Sequence, residues 1–463
     1  MARSRNRFVR SLAAGGPRLR AVDRPLVLLA GISFTVQVGV AVMLPLLPLY
    51  AVSLGATPVV LGLLTSSFAV ANALGGLATG FLAERFQPRR LVAGGIGFYA
   101  LANLLIATAT AALPLLAYRT VAGIGGGVAA MGERLYLTSV VDRARLATAN
   151  GILSSAGAAG GVLGPVIGGL LAAAADVRAP FLVVAATSLV GAVGALMLPR
   201  PTRREAAASP RDDESDTAPS LVPAYEASEA ALVTATVDAL PSPAVAVGPS
   251  PSSRDPWSSR PVVGAGLRLL GILFVAQVAF QAAFGAFITT YAPFATERLG
   301  WSTVEVGLVY ALFAVGTILL GPWLGRIADR RGRRDVAIVS CLLIALFPLA
   351  FVLEAPRLVI YPATFLAGTG VTGLEAAWFA LLGEATDGGR RARAFGTVSS
   401  LANLGIVVGA TVAAQLWERT GDVGLGMAVV VVSIAASGMA LVFLPRDRGA
   451  AGTTVMTGSP EPS

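Results

Sequence analysis

Three charged side chains stand inside long apolar runs of this chain: Arg119, Glu133 and Glu375. A charge at the middle of a lipid bilayer costs at least about 2.5 to 3.5 kcal/mol on insertion scales, so a residue kept there points to ion or substrate handling. The chain has no histidine, and a carboxyl shielded from water is then the natural carrier of a proton. Glu133 and Glu375 are the candidates. Glu133 lies fourteen residues beyond Arg119, about 21 Å along an α-helix, so the two cannot pair directly within one straight helix. Plainer readings stand beside these: a paired structural charge for Arg119 and Glu375, and for Glu133 a snorkelling charge near a helix end beside Arg134. A second set of candidates is apolar. Gln277, Phe280, Phe284, Phe287 and Tyr291 recur at helical spacing, an aromatic stripe with a polar residue at one end. Such a stripe can hold a flat lipophilic or cationic compound by stacking and cation–π attraction, or it can face lipid or a neighbouring helix. Gln37 is a similar polar candidate in an earlier run.

Much chemistry is excluded by what is missing. All 35 basic residues are arginine. Catalytic triads, His-ligated zinc, Schiff bases and the lysine of a phosphate-binding loop each need a residue this chain lacks. The single cysteine, Cys341, forms no intrachain disulfide. Gly368-Thr-Gly370-Val-Thr-Gly373 fits a dinucleotide fingerprint, but it lies in an apolar helix with no strand before it. The sequence therefore implies no enzyme, no metal and no cofactor.

The elements that must position these residues are long helices. Of the 463 residues, 55% are hydrophobic and only 13% charged. The mean hydropathy is +0.73, which points to lipid as the solvent. Twelve runs are long enough to span, at about 25–51, 58–82, 90–111, 113–140, 147–173, 179–199, 265–293, 302–328, 336–354, 358–384, 392–416 and 424–444. The first is longer than the core of a signal peptide and reads as a retained helix. The expected fold is an all-α membrane protein of twelve transmembrane helices in two pseudo-symmetric six-helix bundles. Its parts are a basic tail over 1–24, bundles over 25–199 and 264–445, a disordered Pro/Ser/Ala-rich linker over 200–263 and a tail over 446–463.

Basic residues stay on the cytoplasmic side of short loops. With both termini and the linker placed in the cytoplasm, the outer loops hold only Arg178, Arg298, Arg357 and Arg419, and the fourth run holds Arg119 and Arg134. Every other arginine falls on the inner side. The net charge of +9 is thus explained without nucleic acid, and the N-terminal arginines suit anionic lipid. Sliding the chain by 245 residues aligns Gly55 with Gly300, Gly62 with Gly307, Gly80 with Gly325, Arg85 with Arg330, Arg89 with Arg334, Gly123 with Gly368, Gly160 with Gly405 and Gly164 with Gly409. Two duplicated halves around a central site are the design of alternating-access carriers.

Two loops carry a family likeness. Gly80-Phe-Leu-Ala-Glu84-Arg85-Phe-Gln-Pro-Arg89-Arg90-Leu91 follows the second run, and Gly325-Arg-Ile-Ala-Asp329-Arg330-Arg-Gly332-Arg333-Arg334-Asp-Val336 follows the eighth. Both resemble the signature loop of the major facilitator superfamily. The second copy is nearly complete, whereas the first has Glu84 for Asp, Gln87 for Gly and Pro88 for Arg. The first run holds Val38-Gly39 and Pro45-Leu46-Leu47-Pro48, the fourth Arg119 followed by Gly123 and Gly125, and the fifth Gly160, Gly164, Pro165, Gly168 and Gly169. These are similar to motifs of its twelve-helix drug/proton antiporters. The resemblance implies a cytoplasmic latch at the two loops, a role for Arg119 in proton coupling or substrate binding, and a bent fifth helix that seals the pathway. It implies a carrier in the cell membrane that exports drug-like or amphiphilic small molecules against protons, with a monomer among the possible states. A sugar, amino-acid or metabolite carrier, or a membrane sensor that moves no solute, are the other readings.

Overall fold

The structure, a computed structural model, describes residues 24–141, 145–200, 263–384, 398 and 401–444. A few side chains within these limits, those of Gly325, Asp329 and Arg330 among them, lie outside that description, as do the expected linker and both tails.

Among the described residues there are no strand, one π-helical segment over Phe294–Arg298, and thirteen α-helices. They are α1 Arg24–Met43, α2 Leu47–Ser53, α3 Pro58–Leu82, α4 Pro88–Ala107, α5 Ala112–Val140, α6 Leu146–Ala174, α7 Ala179–Leu196, α8 Val263–Pro293, α9 Thr303–Arg331, α10 Arg333–Val352, α11 Arg357–Glu384, α12 Leu404–Thr420 and α13 Val423–Val442. Eleven are long and apolar enough to cross a membrane. The helix α12 is shorter, at 17 residues, and most of the run expected before it falls outside the described residues. The first expected span, 25–51, is not one helix. It breaks over residues 44–46, because Pro45 and Pro48 have no N–H to give to the preceding turn. Leu46 instead donates to the Met43 carbonyl at 2.9 Å, and α2 starts anew.

Proline also sets several helix starts. Pro58 and Pro88 open α3 and α4, where the missing N–H costs nothing and φ is already helical. The next turns need glycine: Gly55 (φ 80°) and Gly300 (φ 64°), one repeat apart, both lead into a helix, before α3 and α9.

The packing repeats with the sequence. In the first set α5 packs on α3 and α4, while α1 and α4 share α7 and α1 also packs on α6. In the second, α11 packs on α9 and α10, while α8 and α10 share α13 and α8 also packs on α12. Each contact has its mate. Small residues permit the close approaches: a methyl group on Gly123 would meet the Phe68 carbonyl at 2.7 Å, and its mate Gly368 faces the Phe313 carbonyl. Gly370 would likewise meet the Ser340 carbonyl at 2.7 Å, so the glycines of the nucleotide-like fingerprint are helix-packing residues. The outer flanks carry exposed leucine, valine and phenylalanine such as Leu104, Leu189, Leu342 and Leu358, as a lipid-facing surface requires.

The two sets meet along two seams, α6 against α9 and α3 against α12. One large apolar core runs through the second set and into the first. A separate cluster, with Leu29, Ile96, Ala129 and Tyr136, fills the part of the first set nearest the loops that carry Arg85 and Arg89. That end is called here the arginine-rich end.

Candidate functional site

The seams are closed at the arginine-poor end, where α3 and α9 begin. A methyl group on Gly62 would lie 2.9 Å from the Ala410 carbonyl oxygen and 2.6 Å from the Ala414 methyl. On the other seam, one on Gly307 would strike the Pro165 carbonyl, and Gly307 and Pro165 are the repeat mates of Gly62 and Ala410. Polar contacts fasten the same end. Thr303 Oγ1 donates to the Gly169 carbonyl (3.1 Å), Val59 N donates to Glu418 Oε2 (3.2 Å), Ser66 and Thr411 hydroxyls lie 3.3 Å apart, and Thr289 of α8 reaches Thr65 of α3 (3.3 Å). The glycines of α6 divide by face. Gly160, Gly164 and Gly168 press on α1, with a methyl on Gly160 2.9 Å from the Phe34 carbonyl and one on Gly164 2.7 Å from that of Val38. Gly169 faces the Thr303 carbonyl of α9, and the proline between these faces leaves the Gly161 carbonyl without its helical donor.

Among the described residues, the α3 face becomes exposed toward the arginine-rich end. Along the α3 face that meets α12, Gly62, Ser66 and Ala69 are buried, Ala73 is half-buried, and Leu77 and Gly80 are exposed. A methyl group on Gly80 would meet nothing within 4 Å. Glu84 and Arg85 are exposed too. The loop arginines one turn further are engaged: Arg89 Nη1 donates to the Leu198 carbonyl at the end of α7 (3.2 Å), and its mate Arg334 Nη2 donates to the Val442 carbonyl at the end of α13 (2.6 Å). Arg333 Nη1 reaches the Ala380 carbonyl of α11 (3.4 Å). These cations sit where the helix macrodipole is negative and orphan carbonyls need donors. Each closes its own half. Gly332 (φ 105°) makes the turn between α9 and α10, while Gln87, at its place in the first copy, is extended before Pro88 (φ −63°, ψ 142°).

The intramembrane charges are distributed over both halves. Arg119 is 1% exposed, with its guanidinium 3.8 Å from the centre of the Phe68 ring and Nη1 4.0 Å from Met43 Sδ, so α1 and α3 enclose it. Glu133, on the same face of α5 nearly four turns on, is half-buried and accepts a hydrogen bond from Ser33 of α1. Glu375 is 4% exposed on α11, in the other half. No two of the three come together. Position 364, the mate of Arg119, is a threonine bonded to its own helix.

Gln37 is buried in the α1–α6 contact, and its Nε2 makes no hydrogen bond among the described residues. Its structural counterpart is not Gln277, which is half-buried, but Gln281, whose Nε2 donates to Asn403 Oδ1 at 2.7 Å. A methyl on Gly160 would meet the Gln37 Cβ at 3.1 Å, and one on Gly405 the Gln281 Cβ at 3.0 Å. The first helices of the halves are thus related by 244 residues, one fewer than the rest, and a sequence comparison at 245 misses the pair.

Phe280, Phe284 and Phe287 line a pocket inside the second set, together with Tyr310, Phe313 and Phe347. Counted out through its mouth into open solvent, its space is about 640 Å³. Tyr291 is not part of it: fully buried, it donates to the Val306 carbonyl (3.1 Å) and packs against Phe351. The pocket lies within the second set of helices; Arg119 and Glu133 belong to the first, and Glu375, on α11, is not among the lining residues. Among the described residues no group of acidic or cysteine side chains is placed to hold a metal.

The family model described as Major Facilitator Superfamily matches residues 29–264 and 273–460. A putative multidrug resistance protein, MdtD, of Serratia proteamaculans is 31% identical over 152 residues, covering 33% of this chain and 32% of that protein. An uncharacterised MFS-type transporter of Methanocaldococcus jannaschii is 30% identical over 149 residues, 32% of this chain and 39% of its own length. The chain spans only 32% and 39% of the length of these two curated relatives. Among solved structures, the nucleoside transporter NupG superposes with a TM-score of 0.67 at 14% identity over 90% of this chain and 98% of its own. A bacterial homolog of the human lysosomal transporter Spinster, in an inward-facing and unoccupied conformation, gives 0.60 at 15% identity over 90% and 94%.

Proposed function

The chain belongs to the Major Facilitator Superfamily, and from that membership we propose that this transporter exports drug-like or amphiphilic small molecules in exchange for protons, by alternating access. The arginine-rich end faces the cytoplasm of a cell membrane, with both tails and the 200–263 linker on that side. The observation that carries the reading is the pair of seams, tight at the arginine-poor end, with the α3 face growing exposed toward the other, flanked by helices that each bury an ionisable group. On this orientation the closed seams form the outer gate and the described state receives solute from inside. Glu133 or Glu375 carries the proton, and Arg119 takes part in proton coupling or in substrate binding. A proton moving inward is worth about 2.3 kcal/mol per 100 mV before its concentration term, enough to drive uphill export. The MdtD relatives support drug export, and they do so over a third of the chain.

The test is transport by the purified protein in liposomes with an imposed pH gradient and a panel of amphiphilic dyes. Gradient-dependent dye movement that falls at least tenfold in Glu133→Gln or Glu375→Gln, with Arg119→Ala also impaired, supports antiport. Sugar equilibration indifferent to the gradient sinks it in favour of a metabolite carrier, and no movement of any solute favours a sensor.

A further inference from the structure

The helices α1 and α5 have their main packing elsewhere, α1 on α6 and α7, α5 on α3 and α4. Side chains nevertheless tie the two together at two levels. One tie is Arg119 against Met43; the other, nearer the arginine-rich end, is the Ser33 hydroxyl, which donates to Glu133. Both partners of the second tie are half-buried, so water reaches them more easily than it reaches Arg119. The second half has a tie at the matching place. Position 378, the mate of Glu133, is a tryptophan whose Nε1 donates to the Leu273 carbonyl of α8 at 3.0 Å, in a fully buried bond. Leu273 matches Leu29, one turn of α1 before Ser33.

The two ties differ in their chemistry. An indole N–H on a carbonyl has no proton to lose or gain in the working range of a protein, whereas a carboxylate accepts from a hydroxyl with its full charge only until it is protonated. A hydrogen bond to an ionised group is roughly twice as strong as a neutral one, so protonation weakens the Ser33 bond. Few other charges stand at this end. Among the described residues, α5 presents Arg134, α1 Arg24, α4 Arg89 and Arg90, and the residue before α6 is Arg145, while α2 has none and α3 none until Glu84 and Arg85 follow it. Arg134 lies close enough to act on Glu133; Arg89 is taken up by the Leu198 carbonyl, and the Tyr136 phenol by that of Pro199. The helix that Ser33 holds is also connected to a seam. Gly160, Gly164 and Gly168 of α6 press on α1, and Gly169 of the same helix meets Thr303 of α9, so a shift of α1 is passed on to the closed end.

We infer that Ser33 is a positioning residue for proton loading: its hydroxyl holds the ionised Glu133 against α1, and this α1–α5 tie loosens when Glu133 takes a proton, whereas the Trp378–Leu273 tie of the second half stays. The proton adds to a carboxylate oxygen of Glu133, and Ser33 keeps its own. The first half is then the one whose helix packing senses the proton, and the second is the fixed frame against which it moves. The inference deepens the exporter reading and rests on it for its part in transport.

The experiment is amide hydrogen exchange of the full-length protein in lipid nanodiscs, read in the α1 peptide around Ser33 and the α8 peptide around Leu273, with rates corrected for the intrinsic effect of pH. Between about pH 8 and about pH 5 the α1 peptide of the unmodified protein is expected to exchange roughly threefold faster or more, the weakening of one charge-assisted hydrogen bond. The α8 peptide does not change. Glu133→Gln, which cannot ionise, exchanges at the fast rate at both values, Ser33→Ala loses the response, Ser33→Thr keeps it, and Glu375→Gln leaves it in place. Trp378→Phe speeds the α8 peptide equally at both values. An α1 peptide indifferent to pH, a response that survives Ser33→Ala, or an equal response in α8 overturns the inference. A merely structural serine would lower the melting temperature when replaced and leave the pH response as it was, which also overturns it. The expected exchange pattern without gradient-driven transport of any dye keeps the tie and sinks the exporter reading. Gradient-driven transport by a protein whose α1 ignores pH does the reverse.

Discussion

Replacing Gly62 or Gly307 by alanine should open the closed end. The added carbon on Gly62 would stand 2.6 Å from the Ala414 methyl and 2.9 Å from the Ala410 oxygen, and that on Gly307 would strike the Pro165 carbonyl. Carbon atoms rest about 3.5 to 4.0 Å apart, so each seam must part by roughly an ångström, against rigid backbone on its far side. Overpacking of this kind costs about 1 to 3 kcal/mol. The cost falls only on the state in which the seam is shut, so the equilibrium moves by roughly five- to 150-fold toward opening at that end. Spin labels at the exposed Ser53 and Arg419, beside the two helices of the α3–α12 seam, read the change as a growing long-distance population in pulsed dipolar spectra. The background is Cys341→Ala, which removes the single native thiol. Gly94→Ala is the control, because a methyl there meets nothing within 4 Å. If Gly62→Ala leaves the distances where they were, or Gly94→Ala moves them as far, the seam is not a gate and the reasoning fails.

Gly332→Ala is expected to lower stability by about 1 to 3 kcal/mol through its positive φ, whereas Gln87→Gly, at its extended mate, costs well under that; thermal unfolding in detergent separates the two. Arg334→Gln should lower the melting temperature by removing a donor and a cation from the end of α13, worth about 0.5 to 2 kcal/mol, while Arg85→Gln, at an exposed position, leaves it unchanged. Glu418→Ala strips the start of α3 of the acceptor that its own Thr57 does not supply. A capping loss of about 1 kcal/mol should raise the population open at that end about fivefold in the same dipolar measurement, and an unchanged population would remove Glu418 from the seam.

The helices and the doubled plan were legible because lipid demands long apolar runs, and because glycines at contacts and turns must recur wherever the packing recurs. Gly62 with Gly307, Gly123 with Gly368 and Gly55 with Gly300 each prove to be structural mates. Three things were hidden. The break at residues 44–46 sits in an unbroken apolar run, and only its two prolines hint at it. The pairing of Gln37 with Gln281 was masked by a one-residue change of register between α1 and α8, which a fixed offset cannot follow. The aromatic stripe divides, Phe280, Phe284 and Phe287 lining a pocket and Tyr291 buried behind it, because helical spacing gives the face of α8 but not the neighbours that close around it. The loop arginines show the same limit. Their motif marks where they lie, yet only the fold shows Arg89 and Arg334 holding the last carbonyls of their own halves.

The central claim is that solute passes between the two halves as they separate at alternate ends. Ser66 and Thr411 face each other across the α3–α12 seam with hydroxyls 3.3 Å apart, and cysteines in their place bring two sulfurs close to bonding distance. With Cys341→Ala in the background, transport by Ser66→Cys/Thr411→Cys protein in liposomes is measured before oxidation, after it, and after reduction. The account predicts that the disulfide stops transport and that reduction restores it; transport by the cross-linked protein at the rate of the reduced one would contradict it.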